Sequence, residues 1–145
     1  MAVKLSLNDY ALLDELKAGP RTISGNKPRD GADRLVAVGY ATSRSPNISV
    51  VEYEITHLGK IALVLKSYGL MSTQLSIEPH RHDVDGLWHV KVKSEGDPTL
   101  LMSVGSATKL VVHLRAVGAE DLANDFEREV NRTRRFALGK LAAAS

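Results

Sequence analysis

The chain contains no cysteine, which excludes disulfides, thiolate metal sites and a cysteine nucleophile. Aromatic residues are scarce, at 5% of the sequence, with a single Trp. No apolar run approaches the roughly 20 residues of a membrane-spanning helix. The first residues also lack the apolar core and cleavage site of a secretory signal. From these absences we expect a cytoplasmic protein without membrane contact.

Common catalytic motifs are also missing. The sequence has no Gly-x-Ser-x-Gly elbow, no P-loop, no His-Glu-x-x-His and no Gly-x-Gly-x-x-Gly after a strand. The segment "GSATKL", from Gly105 to Leu110, has some similarity to a phosphate-binding turn at the start of a helix. The segment lacks the second glycine of such a turn. This absence favours an ordinary helix capped by Ser106. We therefore expect neither enzymatic activity nor a cofactor.

What the chain does contain is typical of globular domains. Its 145 residues are 43% hydrophobic and 25% charged, enough for one domain or two small ones. The net charge is +2 and the sequence pI is about 8.9. Such a weakly basic balance permits an anionic partner without requiring one.

The N-terminal half predicts two helices separated by a broken segment. In "SLNDYALLDELKAGP", Ser6 and Asn8 are candidate caps, Asp9 lies in the first turn, and Gly19-Pro20 ends the helix. The segment "RTISGNKP" is interrupted by glycine and proline, so it predicts a short turn of helix at most. The segment "RDGADRLVAVGYA" then predicts a second helix that ends at Gly39.

A hairpin and a third helix follow. Strands are predicted around 40–43 and 48–55, joined by the turn "SRSPN". In "VEYEITHLGKIAL" the apolar period changes from two to between three and four residues after Thr56. Thr56 is therefore predicted to cap a helix that buries Leu58, Ile61 and Leu65.

This order of elements, with the phrases "RLVAVGYA" and "YEITHLGKIAL", resembles the winged-helix proteins of bacteria. The resemblance extends from Leu5 to Leu65. It implies a DNA-binding unit in which the hairpin is the wing. One departure concerns the segment between the first two helices, which is too short and too broken for the family's usual second helix. Without that helix, the resemblance leaves open whether this chain inserts a recognition helix into the major groove or has lost that contact.

Basic residues around the predicted second helix and wing are the candidate DNA contacts. Residues 1–66 contain nine Lys and Arg against seven Asp and Glu, and Asp30 and Asp33 lie among the basic residues. Cations in these positions would contact phosphates and make binding sensitive to salt, although a solvated surface has the same composition. The candidates are Arg21, Lys27, Arg29, Arg34 and Arg44.

The C-terminal half predicts a second, smaller α+β unit, in which we recognise no family. A hairpin is expected at about 87–104, and helices at about 106–117 and 119–138. The short alternation before it, at Leu75 and Ile77, is broken by Pro79. The whole chain is thus predicted as α+β, with domains at 1–68 and 69–145.

The last predicted helix carries an apolar stripe formed by Leu122, Phe126 and Val130. A unit of this size rarely leaves so much apolar surface in water. We therefore predict a homodimer formed by the C-terminal half, with Phe126 as its anchor. The alternative is that the stripe packs within one chain, against its own neighbouring elements.

Three other residue patterns have alternative interpretations. His80, His82 and Asp83 are metal-ligand types, but no third histidine stands at a suitable spacing, so we favour a solvated loop and predict no metal. Trp88 is interpreted as a core residue of the hairpin rather than a base-stacking surface. His113 is interpreted as a partly buried helix residue rather than a general base.

Three functions are compatible with these observations. The first is a DNA-binding transcriptional regulator whose C-terminal unit dimerises or contacts a partner. The second is a protein-interaction module built on a degenerate winged helix that no longer binds DNA. The third is a regulator that senses a ligand or metal through His80 and His82.

Overall fold

The protein is described by a computed structural model that covers residues 5–47, 50–94 and 97–144, with the side chains of 26–28, 47 and 140–144 excluded. The chain divides into two compact units, Met1–Leu63 and Val64–Ser145. In the described ranges there are five helices and two three-stranded antiparallel sheets, which confirms the α+β prediction. The division falls within the third helix, whereas the predicted boundary followed residue 68. No helix in the described ranges is long and apolar enough to cross a membrane.

Helix α1, Leu7–Lys17, begins with a capping box. The Ser6 hydroxyl accepts a hydrogen bond from the Asp9 backbone N–H at 3.2 Å, and the Asp9 carboxylate accepts one from the Ser6 N–H at 3.0 Å. Two backbone donors at the open end of the helix are thereby satisfied. Ser6 is therefore the cap, as the sequence predicted.

The segment after α1 differs from the prediction. Strand β1 is Arg21–Thr22, and helix α2 then runs from Asn26 to Ala37. Pro28 lies in the first turn of α2 instead of breaking the helix. A proline fits there because the first N–H groups of a helix have no intrahelical acceptor. No helix separates α1 from α2 in this described segment, in agreement with the predicted loss of a normal second helix.

The first strand of the hairpin is longer than predicted. Strand β2 is Ala41–Asn47 and strand β3 is Val50–Ile55, and the sheet order is β1-β3-β2. Arg44 pairs with Glu52 across the ladder, so it lies in β2 and not in a turn; the register shifts after Arg44. Residues 48 and 49, which the sequence assigned to the second strand, lie outside the described residues.

Helix α3, His57–Ser67, is capped by Thr56 as predicted. Leu65 is buried as expected, but Leu58 is 38% exposed. The Thr56 hydroxyl accepts a hydrogen bond from the Gly59 N–H at 3.1 Å and donates one to the Gly39 carbonyl at 2.6 Å. One side chain therefore caps α3 and ties its start to the turn after α2. Gly59 is needed because a Cβ there would lie 2.2 Å from the Tyr40 carbonyl oxygen.

The core of the first unit lies between the helices and one face of the sheet. The apolar faces of α1 and α2, formed by residues three and four apart, pack against the side chains at alternate positions of β3. The buried members of the core include Tyr10, Leu13, Leu16, Ala32, Leu35, Tyr53 and Ala62.

The second unit contains a strand that the sequence analysis missed. Strand β4, Ser76–Arg81, pairs with β5, Trp88–Lys93, which pairs in turn with β6, Leu100–Met102. Pro79 argued against a strand here, but β4 is an edge strand, where proline is tolerated because one side of the ladder makes no hydrogen bonds.

Helices α4, Val104–Ala116, and α5, Glu120–Ala144, complete the second unit. The cap of α4 is Ser103 rather than Ser106, because the Ser103 hydroxyl accepts the Ser106 N–H at 3.1 Å. Helix α5 packs against α4, β4 and β5. It is longer at its C-terminal end than the predicted 119–138. The shared core is apolar and includes Val90, Val92, Leu110, Leu114 and Phe126.

Candidate nucleic-acid interface

The predicted DNA contacts are distributed over three elements of the first unit. Arg21 lies on β1, Arg29 and Arg34 lie on α2, and Arg44 lies on β2. Lys27 belongs to the first turn of α2, but its side chain lies outside the described residues. The four described arginines are exposed, and each has a partner within the unit.

Arg34 is held by a carboxylate on the neighbouring helix. Its Nε and Nη2 donate to the two oxygens of Asp9 at 3.0 and 2.8 Å, and the Asp9 side chain is only 3% exposed. The hydrogen bonds from Arg34 are the main reason that the pKa of Asp9 lies below its usual value, against the opposing effect of burial. In return, the bond to Asp9 raises the pKa of Arg34.

This pair changes the expected role of Arg34. A phosphate would have to compete with a bidentate, buried carboxylate that would lose its counter-charge. We therefore assign Arg34 to the packing of α1 against α2 and leave it out of the phosphate contacts proposed below.

Arg21 and Arg44 are held much less firmly. Arg21 is 3.0 Å from Glu15, and both side chains are more than half exposed. Arg44 donates to Glu52 at 2.8 Å while remaining 73% exposed. Exposed ion pairs contribute only about 0–1 kcal/mol. Both guanidiniums can therefore exchange a carboxylate for a phosphate at little cost.

Arg29 lies near a buried tyrosine that joins α2 to β3. The Tyr53 hydroxyl donates to the Asp33 carboxylate at 2.7 Å. Burial raises the pKa of Tyr53 and the bond to Asp33 adds to this, while Arg29 acts in the opposite direction through its own hydrogen bond. The Tyr53–Asp33 bond fixes α2 against the hairpin and leaves Arg29 at the surface.

Acidic residues moderate the charge of this surface. Cross-strand neighbours share a face of the sheet, so Arg44, Glu52 and Glu54 lie on the face opposite buried Tyr53. Asp30 is exposed on α2 near Arg34. The surface is therefore a mixture of both signs, and its cations are individual contacts rather than a continuous basic patch.

An open groove of about 460 Å³ lies between α1 and α2. Its lining includes Asp9, Leu12, Glu15, Asp30, Gly31 and Arg34. Gly31 lets α2 approach α1 closely here, because a Cβ at this position would lie 3.2 Å from an oxygen of Asp9. The groove is acidic and partly apolar, which suits a protein segment better than a phosphate.

The histidine cluster of the second unit includes a carboxylate that the sequence did not single out. Asp85 lies 3.6 Å from His82 Nδ1 and 3.7 Å from His89 Nε2, and His80 is the cross-strand neighbour of His89. The backbone N–H of Leu87 is the main cause of the lowered pKa of Asp85. No three His, Asp or Glu side chains in the described ranges are arranged to hold a metal ion.

One other sequence interpretation, that of His113, needs correction. His113 is exposed, not partly buried, and its Nδ1 lies 2.6 Å from the Tyr68 hydroxyl. Trp88 is only partly buried and stacks on Phe136 with ring centroids 5.1 Å apart. Its Nε1 has no acceptor within the part of the chain that the structure describes.

The predicted dimer contacts lie mostly inside the second unit. Phe126 is 0% exposed and Val130 is 3% exposed, while Leu122 is partly buried. The apolar stripe of α5 is covered by the chain's own α4, β4 and β5, and not by a second copy. Phe126 therefore cannot be the anchor of a dimer unless the unit opens.

Comparison with known proteins gives one match. A family model described as DUF3860-like matches residues 6–65. This range contains all five predicted DNA contacts and ends within α3, before the whole of the second sheet. No curated protein and no solved structure matches the chain.

Proposed function

We propose that the first unit binds duplex DNA and that the protein is a cytoplasmic transcriptional regulator of winged-helix type. The observation that carries the proposal is the element order α1-β1-α2-β2-β3-α3 around the sheet β1-β3-β2. This order agrees with the resemblance in the sequence, in which the β2–β3 hairpin is the wing and α2 precedes it.

Phosphate contact is assigned to Arg21, Arg29 and Arg44. Each is exposed, and the partners of Arg21 and Arg44 are weakly bound surface carboxylates. Every cation that neutralises a phosphate releases condensed counterions, which adds about −0.9 to the slope of log K against log salt. Lys27 belongs to the same group by its place in the first turn of α2.

The test compares matched double variants in a fluorescence anisotropy titration against mixed-sequence duplexes at two salt concentrations. Arg29→Ala with Arg44→Ala should flatten the salt dependence by about two units of slope. Lys17→Ala with Lys60→Ala removes the same charge from exposed positions on α1 and α3 and should change little. Equal slopes for the two double variants would show that the assigned face is wrong.

A protein-interaction module is the second candidate, favoured by the groove between α1 and α2 and by the mixed charge of the surface. In this case the Leu12 and Gly31 region would receive a segment of another protein. The same titration distinguishes the candidates, because an interaction module shows no duplex binding even at the lowest salt concentration.

The second unit is assigned to homodimerisation or to contact with a protein partner. With Phe126 and Val130 buried, a dimer would have to use residues that remain exposed, such as Val112, Leu138 and Leu87. Light scattering on the intact chain tests this assignment, and a monodisperse monomer at micromolar concentration would remove the dimer.

A further inference from the structure

Helix α5 has its two signs of charge separated along its length. Its first ten residues, 120–129, contain five carboxylates and one arginine. From residue 130 onward the helix contains Arg132, Arg134, Arg135 and Lys140 and no acidic residue. Basic residues near a helix C-terminus favour the macrodipole. The ion pairs of this half differ from one arginine to the next.

Three arginines form one stripe on the surface of α5. Arg128, Arg132 and Arg135 are separated by four and three residues, so they lie on the same side of the helix within about 10 Å along its axis. All three are exposed. Asn131 lies between them and is exposed as well, so the stripe is polar throughout.

A buried carboxylate holds part of this stripe in place. Glu129 is 4% exposed, and both of its oxygens accept from Arg132 Nη1, at 2.8 and 2.9 Å. One oxygen also lies 3.5 Å from Arg128 Nε. Burial of a carboxylate is costly unless it is paired. Arg128 also lies 3.5 Å from Asp125. Two carboxylates therefore balance Arg128 and Arg132, and the uncompensated cations of α5 lie farther along the helix.

The neighbouring cations are not neutralised. Arg134 Nη2 donates to the hydroxyl of Thr108 on α4, at 3.2 Å, and Lys109 beside it is exposed. Arg135 forms no ion pair among the described side chains. Phe136, next in the chain, is 45% exposed and stacks on Trp88. Exposed cations that lack a carboxylate partner are available for contact with phosphates.

We propose that the basic half of α5 is a second contact surface for the phosphodiester backbone of a nucleic acid. Arg134, Arg135 and Lys109 are exposed cations without an ion pair among the described side chains. Several such cations match a polymer with repeated negative charges better than an isolated anion. The inference rests on the proposed function, because its ligand is of the class that the first unit is proposed to bind. It also assigns a role to α5 that does not depend on a dimer.

The test uses the full chain and two matched double variants. Arg134→Gln with Arg135→Gln removes two cations that have no carboxylate partner, so the fold should be retained, as circular dichroism can show. Lys66→Gln with Lys93→Gln removes the same charge elsewhere in the second unit. Binding is measured by anisotropy with a mixed-sequence DNA duplex and with a single strand of the same sequence, at two salt concentrations.

The arginine variant should lose about two units of salt slope with the duplex, while the lysine control keeps the slope of the parent. Equal loss in both variants, or in neither, overturns the inference. If Arg29→Ala with Arg44→Ala lowers the slope and the α5 variant does not, the proposed function stands and this inference fails. If only the α5 variant lowers it, the second surface stands and the first assignment fails.

Two further outcomes also overturn the inference. One is binding by the parent to the single strand alone with no effect of the α5 variant. The other is binding to vesicles of phosphatidylcholine and phosphatidylglycerol, lost in the α5 variant, without binding to either nucleic acid. The second result would identify the stripe as a lipid-headgroup surface.

Discussion

The Asp9–Arg34 pair makes a sharp prediction about how α2 is held. In Asp9→Asn the side chain keeps its size but loses its charge and one acceptor oxygen. The carboxylate accepts three hydrogen bonds, from the Ser6 N–H and from Arg34 Nε and Nη2, at 2.8 to 3.0 Å. The asparagine amide would instead direct an N–H group toward one of these donors, in a site where the native side chain is 3% exposed.

The expected loss follows from these contacts. Hydrogen bonds to a charged group contribute about 1.5–3 kcal/mol. Arg34 is 45% exposed and regains water when the pair is broken, which places the estimate toward the lower end. Asparagine also keeps one acceptor for the helix cap. We expect the free energy of unfolding to fall by about 2 kcal/mol.

The loss should depend on pH in a defined direction. The hydrogen bonds from Arg34 hold the pKa of Asp9 below its usual value of 3.8, so the stabilisation is complete above that value. It is lost as the pH falls through the lower folded-state pKa. The difference between parent and Asp9→Asn should therefore be constant near neutral pH and shrink in acid.

Urea unfolding followed by far-ultraviolet circular dichroism measures this difference. Asp14→Asn is the matched control, because Asp14 is exposed on the same helix, and it should change stability by no more than about 0.5 kcal/mol. If Asp9→Asn and Asp14→Asn unfold at the same urea concentration, the pair does not hold α2 and the reasoning is refuted.

Three substitutions, each measured by urea unfolding, test the packing inside one unit or the other. Gly59→Ala should destabilise by about 3 kcal/mol despite its better helix propensity, because the new Cβ meets the Tyr40 carbonyl oxygen; parent-like stability would contradict this. Phe126→Ala should cost about 3–5 kcal/mol without changing the mass measured by light scattering, and a mild cost would place this ring outside the core. Tyr53→Phe should cost about 1–2 kcal/mol through loss of the bond to Asp33, and no loss would show that the bond is unimportant.

Local sequence signals predicted much of the first unit. The capping residues Ser6 and Thr56 were identified because their hydroxyls bind amides only three residues away. The change of apolar period at Thr56, which is also a local signal, marks the boundary between β3 and α3. Such signals depend on short stretches of chain, so they can be read without knowledge of the tertiary structure.

The errors in element boundaries have tertiary or positional causes. Pro79 was read as a strand breaker, but β4 lies at the edge of its sheet, and edge position cannot be known before strand order. Pro28 was read as a helix breaker, but it lies in the first turn of α2, where no intrahelical hydrogen bond is lost. Both residues are tolerated because of where they stand.

The tertiary partners of the candidate residues could not be predicted from the sequence. Arg34 lies on the expected helix, yet its partner Asp9 is 25 residues away, and no local pattern reveals a pair across two helices. The apolar stripe of α5 was assigned to a second copy because its covering strand, β4, was missed. The separation of charge along α5 can be read from the sequence, but the burial of Glu129 cannot.

The most direct test of the proposed function is to observe which backbone amides respond to DNA. In a nitrogen–proton NMR titration of the intact chain with a mixed-sequence duplex, we predict the largest shift changes at the start of α2 around Arg29 and in the hairpin around Arg44. These changes should weaken as salt is raised. An unchanged spectrum at low salt, or changes confined to the Leu12 and Gly31 groove, would contradict duplex binding by this face.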